Sequence, residues 1–219
     1  MNKYLITIDG PAGAGKSTVS KKLALNLNYI YVDTGALYRG IAYYTIENSI
    51  DCYDIDKLKS HLDQIVLKFK NVDGELKLFI NDSDISSKIR TSEIAMQASK
   101  VAAIEIVRSY LLGVQHRLGV EKASVFEGRD MGTTVFPNAD FKFYLDSSPK
   151  ERARRRFNEM IESTQTQEDV EKEIVQRDTN DKNREISPLC IAEDAHYIDS
   201  THMSVDEVIS EMASIVSVG

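Results

Sequence analysis

Gly10-Pro11-Ala12-Gly13-Ala14-Gly15-Lys16-Ser17 fits the pattern G-x-x-x-x-G-K-[ST], and Thr18 continues it. The residue types answer a physical demand. A phosphate that must lie against the main chain is obstructed by a Cβ, so glycines stand where the approach is closest. Successive amide N–H groups then converge as an anion nest at the positive end of the helix that follows. Lys16 supplies a cation for the β- and γ-phosphates, and the Ser17 hydroxyl suits Mg²⁺. The chemistry implied is capture of a nucleoside triphosphate and its metal ion on Gly10–Thr18. A metal there also calls for a carboxylate at a strand end. Asp33 and Glu127 both close apolar strands, and the sequence leaves the choice between them open.

Such a loop works only between a strand and a helix, and both are present. Tyr4 to Asp9 (YLITID) is a short apolar run that reads as a buried strand. Lys16 to Leu27 places Val19, Leu23, Ala24 and Leu27 on one helical face, with Ser20, Lys21 and Lys22 on the other. A second strand, Tyr29 to Asp33, follows at once, giving a βαβ unit and hence a parallel sheet with a right-handed crossover. Strands of the same type recur at Ala123 to Glu127, Phe141 to Leu145 and Ala195 to Asp199. Helices are expected over Val101 to Leu118 and over Pro149 to Glu162, the latter with proline in its first turn. The fold class is therefore α/β, a three-layer sandwich on a five-stranded parallel sheet. Gln64 to Asp84 departs from it. Ile65, Leu67 and Phe69 alternate, as do Leu76, Leu78 and Ile80, around Asp73-Gly74. That is a hairpin signal, read as a small antiparallel insert. Thr164 to Asp169 is polar and weakly patterned, and a mobile loop is expected there.

The composition sets limits. The chain has 219 residues, 42% hydrophobic and 28% charged, an ordinary balance for a soluble globular protein. No run reaches the roughly 18 apolar residues of a membrane span. The first residues read as a strand rather than a leader. Cys52 and Cys190 have neither metal-ligand spacing nor the look of a disulfide framework, which fits a reducing cytoplasm. A net charge of −7 argues against a general nucleic-acid binder. Positive charge is instead local, in Lys150 to Arg156 and again from Arg177 to Arg184. The first cluster, followed by a polar stretch, suggests a helical lid. Its arginines, Arg152 and Arg156 among them, would join Lys16 in neutralising charge that develops during phosphoryl transfer.

A triphosphate loop alone does not name an acceptor. No N-K-x-D guanine-reading motif is present, which lowers the reading as a GTPase. Four further stretches are more specific: Asp33-Thr-Gly-Ala-Leu-Tyr38-Arg39, Gly128-Arg129-Asp130-Met-Gly132-Thr-Thr-Val-Phe-Pro137, Arg177-Asp-Thr-Asn-Asp181-Lys-Asn-Arg184 and Ile198-Asp-Ser-Thr201. In order and spacing the chain resembles the bacterial cytidylate kinases from Gly10 to about Thr201. The resemblance implies a P-loop kinase domain over residues 1–219. Its core would be 1–35, 100–150 and 190–219, its monophosphate-binding insert 36–99 and its lid 151–189. It implies transfer from ATP, with Mg²⁺, to CMP or dCMP. Arg39, Arg129 and Arg184 would hold the acceptor phosphate, and Arg177 and Asp181 would meet the ribose. Thr34, Ser99, Arg108 and Asp130 would surround the base, with Tyr38 beside them. Thr34 stands where serine is more usual and keeps the hydroxyl; Glu127 stands where aspartate is often expected.

The base chemistry agrees. Cytosine offers an N4 amine donor where uracil offers an acceptor, so a carboxylate accepts from one and repels the other. Asp130 is suited to that part, and Arg108 to donation toward N3 or O2; Asp130 also has a plainer reading, an ion pair with Arg129. Two other functions compete: a kinase for another nucleoside monophosphate, and a slow nucleotide-dependent switch. A switch has no use for so many arginines outside the triphosphate loop. No heptad run or apolar patch demands an oligomer, so a monomer without nucleic-acid or membrane partners is expected.

Overall fold

The computed structural model describes residues 3–72, 75–160 and 165–218. In chain order the elements begin with β1 (Leu5–Asp9), α1 (Lys16–Leu27), β2 (Ile30–Asp33), α2 (Thr34–Glu47) and α3 (Ile55–Leu62). Then come β3 (Leu67–Val72), β4 (Glu75–Ile80), β5 (Ser83–Asp84), α4 (Ser92–Val101) and α5 (Glu105–Gly119). The chain ends with β6 (Ser124–Glu127), β7 (Phe141–Asp146), α6 (Pro149–Glu159), α7 (Gln167–Lys182), β8 (His196–Asp199) and α8 (Val205–Val218). It divides into two compact units, Met1–Val32 with Glu121–Gly219, and Asp33–Val120.

The first unit is built on a five-stranded parallel sheet of order β2-β6-β1-β7-β8. The central strand, β1, is buried along its whole length and pairs in parallel with β6 (Ile6 opposite Val125) and with β7 (Ile6 opposite Phe141). Burial on both sides explains why its sequence is a continuous apolar run rather than an alternation. Ile6, Ile8, Val125, Phe143, Leu145 and Ile198 from the strands pack with Val19 and Leu23 of α1 and with Val208 and Met212 of α8. Asn28, in the left-handed conformation, ends α1 and donates its N–H to the last carbonyls, so the chain turns directly into β2. All five strands lie within one residue of the expected bounds. The carboxyl end of β1 delivers the chain into the glycine-rich loop, as a parallel sheet does for its ligands.

The second unit has its own core. Leu37 and Ile41 of α2, Leu58 and Leu62 of α3, Leu67 and Leu78 of the hairpin, and Val107 and Leu111 of α5 form one cluster. β3 and β4 pair antiparallel, Leu67 opposite Ile80 and Phe69 opposite Leu78, and β5 adds a short third strand. The turn residues Asp73-Gly74 lie outside the described residues.

Two helical expectations are corrected. Val101 to Leu118 is not one helix: α4 ends at Val101 and α5 starts at Glu105. No glycine or proline marks the break, and the apolar spacing runs on through it. The orphan carbonyl of Ala102 is taken up by Arg108 Nη1 at 3.1 Å, which stabilises the interruption from within α5. The stretch around Thr166 is not a loop up to Asp169. Thr166 caps α7, its hydroxyl accepting from Asp169 N while the Asp169 carboxylate accepts from Thr166 N. That reciprocal pair is a capping box. Thr164 lies outside the described residues, as do Ile161 and Glu162 of the expected helix, and α6 is helical through Glu159.

Candidate active site

The glycine-rich loop takes the shape its residues require. Gly10, Gly13 and Gly15 all have φ in the left-handed range, at 147°, 77° and 87°. A Cβ at Gly10 would stand 2.0 Å from the Leu145 carbonyl oxygen, so no other residue fits there. Gly15 precedes α1 directly, which leaves the first N–H groups of that helix facing the loop. Lys16 is only 7% exposed and its Nζ donates to the Pro11 carbonyl at 2.7 Å, so the ammonium curls over the loop. Burial, and then the charge of Arg129, depress its pKa well below the usual lysine value, with Arg177 adding to the effect. Three cations thus share one neighbourhood, an arrangement suited to anions.

Ser17 Oγ donates to Glu127 Oε1 at 2.7 Å. Of the two carboxylates left open by the sequence, Glu127 is therefore the one joined to the Ser17 hydroxyl. Asp33 has other partners: it caps α2 by accepting from Ala36 N at 3.0 Å and pairs with Arg39 Nη2 at 2.7 Å. A hydroxyl and a carboxylate are hard oxygen ligands, and Mg²⁺ bound with phosphates and water needs only one or two from the protein. The residues fit a magnesium nucleotide. Among the described residues no group of three His, Cys, Asp or Glu side chains could hold a metal alone.

The basic helix α6 is tied to this loop. Ser148 caps it, accepting from Glu151 N, and Pro149 occupies its first turn. Arg152, 4% exposed, donates through Nε to the Ser147 carbonyl at 2.8 Å and through Nη1 to the Ala12 carbonyl at 2.7 Å. Nη1 also pairs with Asp178 of α7, whose other oxygen accepts from Ala12 N at 2.9 Å. The Ala12 peptide is thus gripped on both sides. Arg155 reaches Glu151, the Ser200 hydroxyl and carbonyl, and the Ala14 carbonyl. Arg156 is half-buried in the last turn.

A second cationic cluster lies in the same unit. Arg129 Nε donates to Asp181 Oδ2 at 2.9 Å, and Arg184 pairs with Asp181 Oδ1. Asp181 is 1% exposed. Burial raises its pKa, but Arg129, Arg184 and Arg177 outweigh burial and hold it below the ordinary aspartate value. Asp130, also buried, follows Arg129 at the start of a five-residue π-helical segment, Met131–Val135.

In the second unit Thr34 and Tyr38 are buried on α2, and Arg39 is half-buried beside Asp33. Arg108 lies buried on α5, its guanidinium 5.6 Å from the centre of the Tyr38 ring. Ser99, on α4, is half-buried.

Sequence reasoning missed two carboxylates. Asp178 continues the buried stripe of α7 after Val170 and Ile174. An acidic residue where helical spacing calls for an apolar one was the available signal. Asp9 ends β1, buried, accepting from Met131 N at 2.9 Å and from Gly132 N at 2.7 Å. Burial pushes its pKa up to about 6, against the pull of those two N–H groups.

Comparison with known proteins shows what the chain is similar to. A family model described as cytidylate kinase matches residues 6–218. The chain is 43% identical over 220 residues to the cytidylate kinase of Caldicellulosiruptor bescii, covering 98% of this chain and 96% of that protein. It is 44% identical over 211 residues to the cytidylate kinase of Protochlamydia amoebophila, covering 94% and 92%. Among solved structures, shikimate kinase from Bacteroides thetaiotaomicron aligns with a TM-score of 0.51 at 12% identity, over 99% of both chains, a likeness of fold.

Proposed function

The chain belongs to the cytidylate kinase family, and from that premise we propose that it transfers the γ-phosphoryl group of ATP to CMP or dCMP, with the following residues at work. Gly10 to Thr18 carry the triphosphate of ATP. Ser17, with Glu127 behind it, would hold Mg²⁺, which would supply positive charge to neutralise the phosphates. Arg39, Arg129 and Arg184 take the acceptor phosphate; Arg177 and Asp181 take the ribose. Thr34, Tyr38, Ser99 and Arg108 serve the base, and Asp130 accepts from cytosine N4. The insert 36–99 and the lid 151–189 are the parts proposed to respond to substrate. One chain carries every assigned residue, so a monomer is the proposed catalytic unit, working in the cytoplasm where both substrates occur.

The observation that carries this reading is the second cluster of cations, Arg129 and Arg184 paired on the buried Asp181, with the charge of Arg129 also felt at Lys16 of the triphosphate loop. A loop that only binds triphosphate needs one cation; a transfer between two phosphates needs cations on both. Little covalent chemistry falls to the protein, so holding the reactants in line and neutralising charge supply the rate. Lys16, Arg152 and Arg156 do the latter, Arg152 by exchanging one of its present partners for a phosphate oxygen.

The test is ADP release from ATP and Mg²⁺ with CMP, dCMP, UMP, AMP and GMP in turn. Rates with CMP and dCMP should exceed the others by at least about 100-fold, as expected where a mismatched base leaves buried polar groups unpaired. A rate independent of the acceptor would overturn the kinase reading, and a preference for UMP or AMP would overturn the assignment to cytosine.

A further inference from the structure

Asp9 stands outside the residues assigned to either substrate. It is buried at the end of the central strand, immediately before the loop that holds ATP. Its two carboxylate oxygens each accept one backbone N–H, from Met131 and from Gly132. Those are the two residues that follow Asp130. Two successive peptide groups are thereby fixed to one side chain, and with them the backbone that carries Arg129 and Asp130. The backing is close on the other side too. A Cβ at Gly132 would approach Thr7 Oγ1 to 3.1 Å and Lys142 Cδ to 3.2 Å. The charge on Asp9 is maintained against burial and against the like charge of Asp130, with Lys16 and the two N–H groups favouring it. A carboxylate in that position is a costly way to hold a strand end, since an apolar or amide side chain would avoid the charge.

We propose that Asp9 is a positioning residue for the acceptor: by holding the Met131 and Gly132 amides it sets Arg129 and Asp130 in the geometry that binds the phosphate and base of the nucleoside monophosphate. This rests on the assignment of Arg129 and Asp130 to the acceptor. Asp9 touches neither substrate; it acts through the peptide groups it accepts from. Asparagine at the same place can accept only one of the two bonds, since its amide nitrogen meets the second N–H as another donor.

Steady-state kinetics of Asp9→Asn, Asp130→Asn and the double variant, with each substrate varied in turn, test the idea. Loss of one hydrogen bond to a charged group predicts a rise of about tenfold or more in KM for CMP in Asp9→Asn. KM for ATP should stay within about threefold, and the preference for CMP over UMP should narrow as it does in Asp130→Asn. The double variant should lose little more preference than Asp130→Asn alone, because the two changes act through one contact. Should Asp9→Asn fail to fold, Gly132→Ala displaces the same N–H from the other side and should show the same pattern. An unchanged KM for CMP overturns the proposal, as does an equal rise in both KM values. If Asp130→Asn leaves the preference unmoved, Asp130 is not the base reader. Asp9 is then judged on KM for CMP against KM for ATP alone, where a selective rise still supports it.

Discussion

At the scale of single residues, the carboxylate of Asp9 makes a prediction about stability that is independent of catalysis. Its pKa is raised from 3.8 to about 6 in the folded chain, mainly by burial. A carboxyl group with a raised folded pKa favours the folded state most below its unfolded pKa. That advantage is lost as pH rises through about 6. A rise of this size corresponds to about 3 kcal/mol. Urea unfolding of the wild type and Asp9→Asn at pH 4.5 and at pH 7.5 reads the effect. Relative to wild type, the variant should gain about 2 kcal/mol between the two values, since about 1 kcal/mol of the effect is already spent at pH 4.5. A stability difference that is flat with pH would mean that Asp9 is not strained by its surroundings. Residues of this kind were not legible in the sequence. Gly10, Gly15, Lys16 and Ser17 were, because the backbone geometry of an anion nest admits few alternatives. Asp9 and Asp178 serve backbone groups 122 and 166 residues away in the chain, and no local pattern encodes such a partner.

At the scale of elements, the sheet was readable and the helix ends were not. Parallel strands declare themselves by short apolar runs, and all five did, although only β1, β6 and β7 are largely buried. The division between α4 and α5 had no such mark, and the bond that Arg108 donates to the Ala102 carbonyl across it is announced by no local pattern. The basic helix α6 was visible as charge, yet charge could not say where Arg152 would point. In the fold Arg152 and Asp178 join α6 and α7 to the Ala12 peptide. The two helices share a small apolar contact of Ala153, Val170 and Ile174 with Phe157 and Met160. The polar bracket is therefore expected to supply much of what keeps the basic helix against the triphosphate loop. Asp178→Ala leaves Arg152 buried without its counter-charge, at a cost of about 3–5 kcal/mol, which for a chain of this length lowers the melting midpoint by about 10 °C. The double variant Arg152→Met with Asp178→Leu should recover part of that, because neither charge remains. It should not recover all, since the Ala12 N–H and carbonyl stay unpaired at about 1–3 kcal/mol. Thermal unfolding of Arg152→Met, Asp178→Leu and their double variant completes the cycle. Additive losses would show that the bracket is not a coupled unit.

At the scale of the whole molecule, an acidic chain binds two anions, and it does so by gathering its cations. The net charge is −7, yet Lys16, Arg129 and Arg177 lie close enough to depress the lysine's pKa. Packing like charges together costs stability in the free protein, and bound phosphate relieves that cost. Ligands should therefore stabilise the fold strongly, and the two substrates should do so through separable residues. At a concentration 100 times its dissociation constant, a ligand adds about 2.7 kcal/mol, or about 5–10 °C in melting midpoint for a chain of this length. A non-hydrolysable ATP analogue with Mg²⁺ and CMP should each produce such a shift when given alone. In Lys16→Met the analogue's shift should fall to near zero while that of CMP persists, because the lysine serves the donor phosphates. In Arg184→Ala the reverse should hold. Lys16→Met without ligand should melt within a few degrees of the wild type, since the buried cation it removes is repelled by Arg129 and Arg177 but attracted by Glu127 and Asp9. Loss of both ligand shifts in either variant would mean that donor and acceptor phosphates draw on one shared set of cations, and the division of labour proposed here would have to be redrawn.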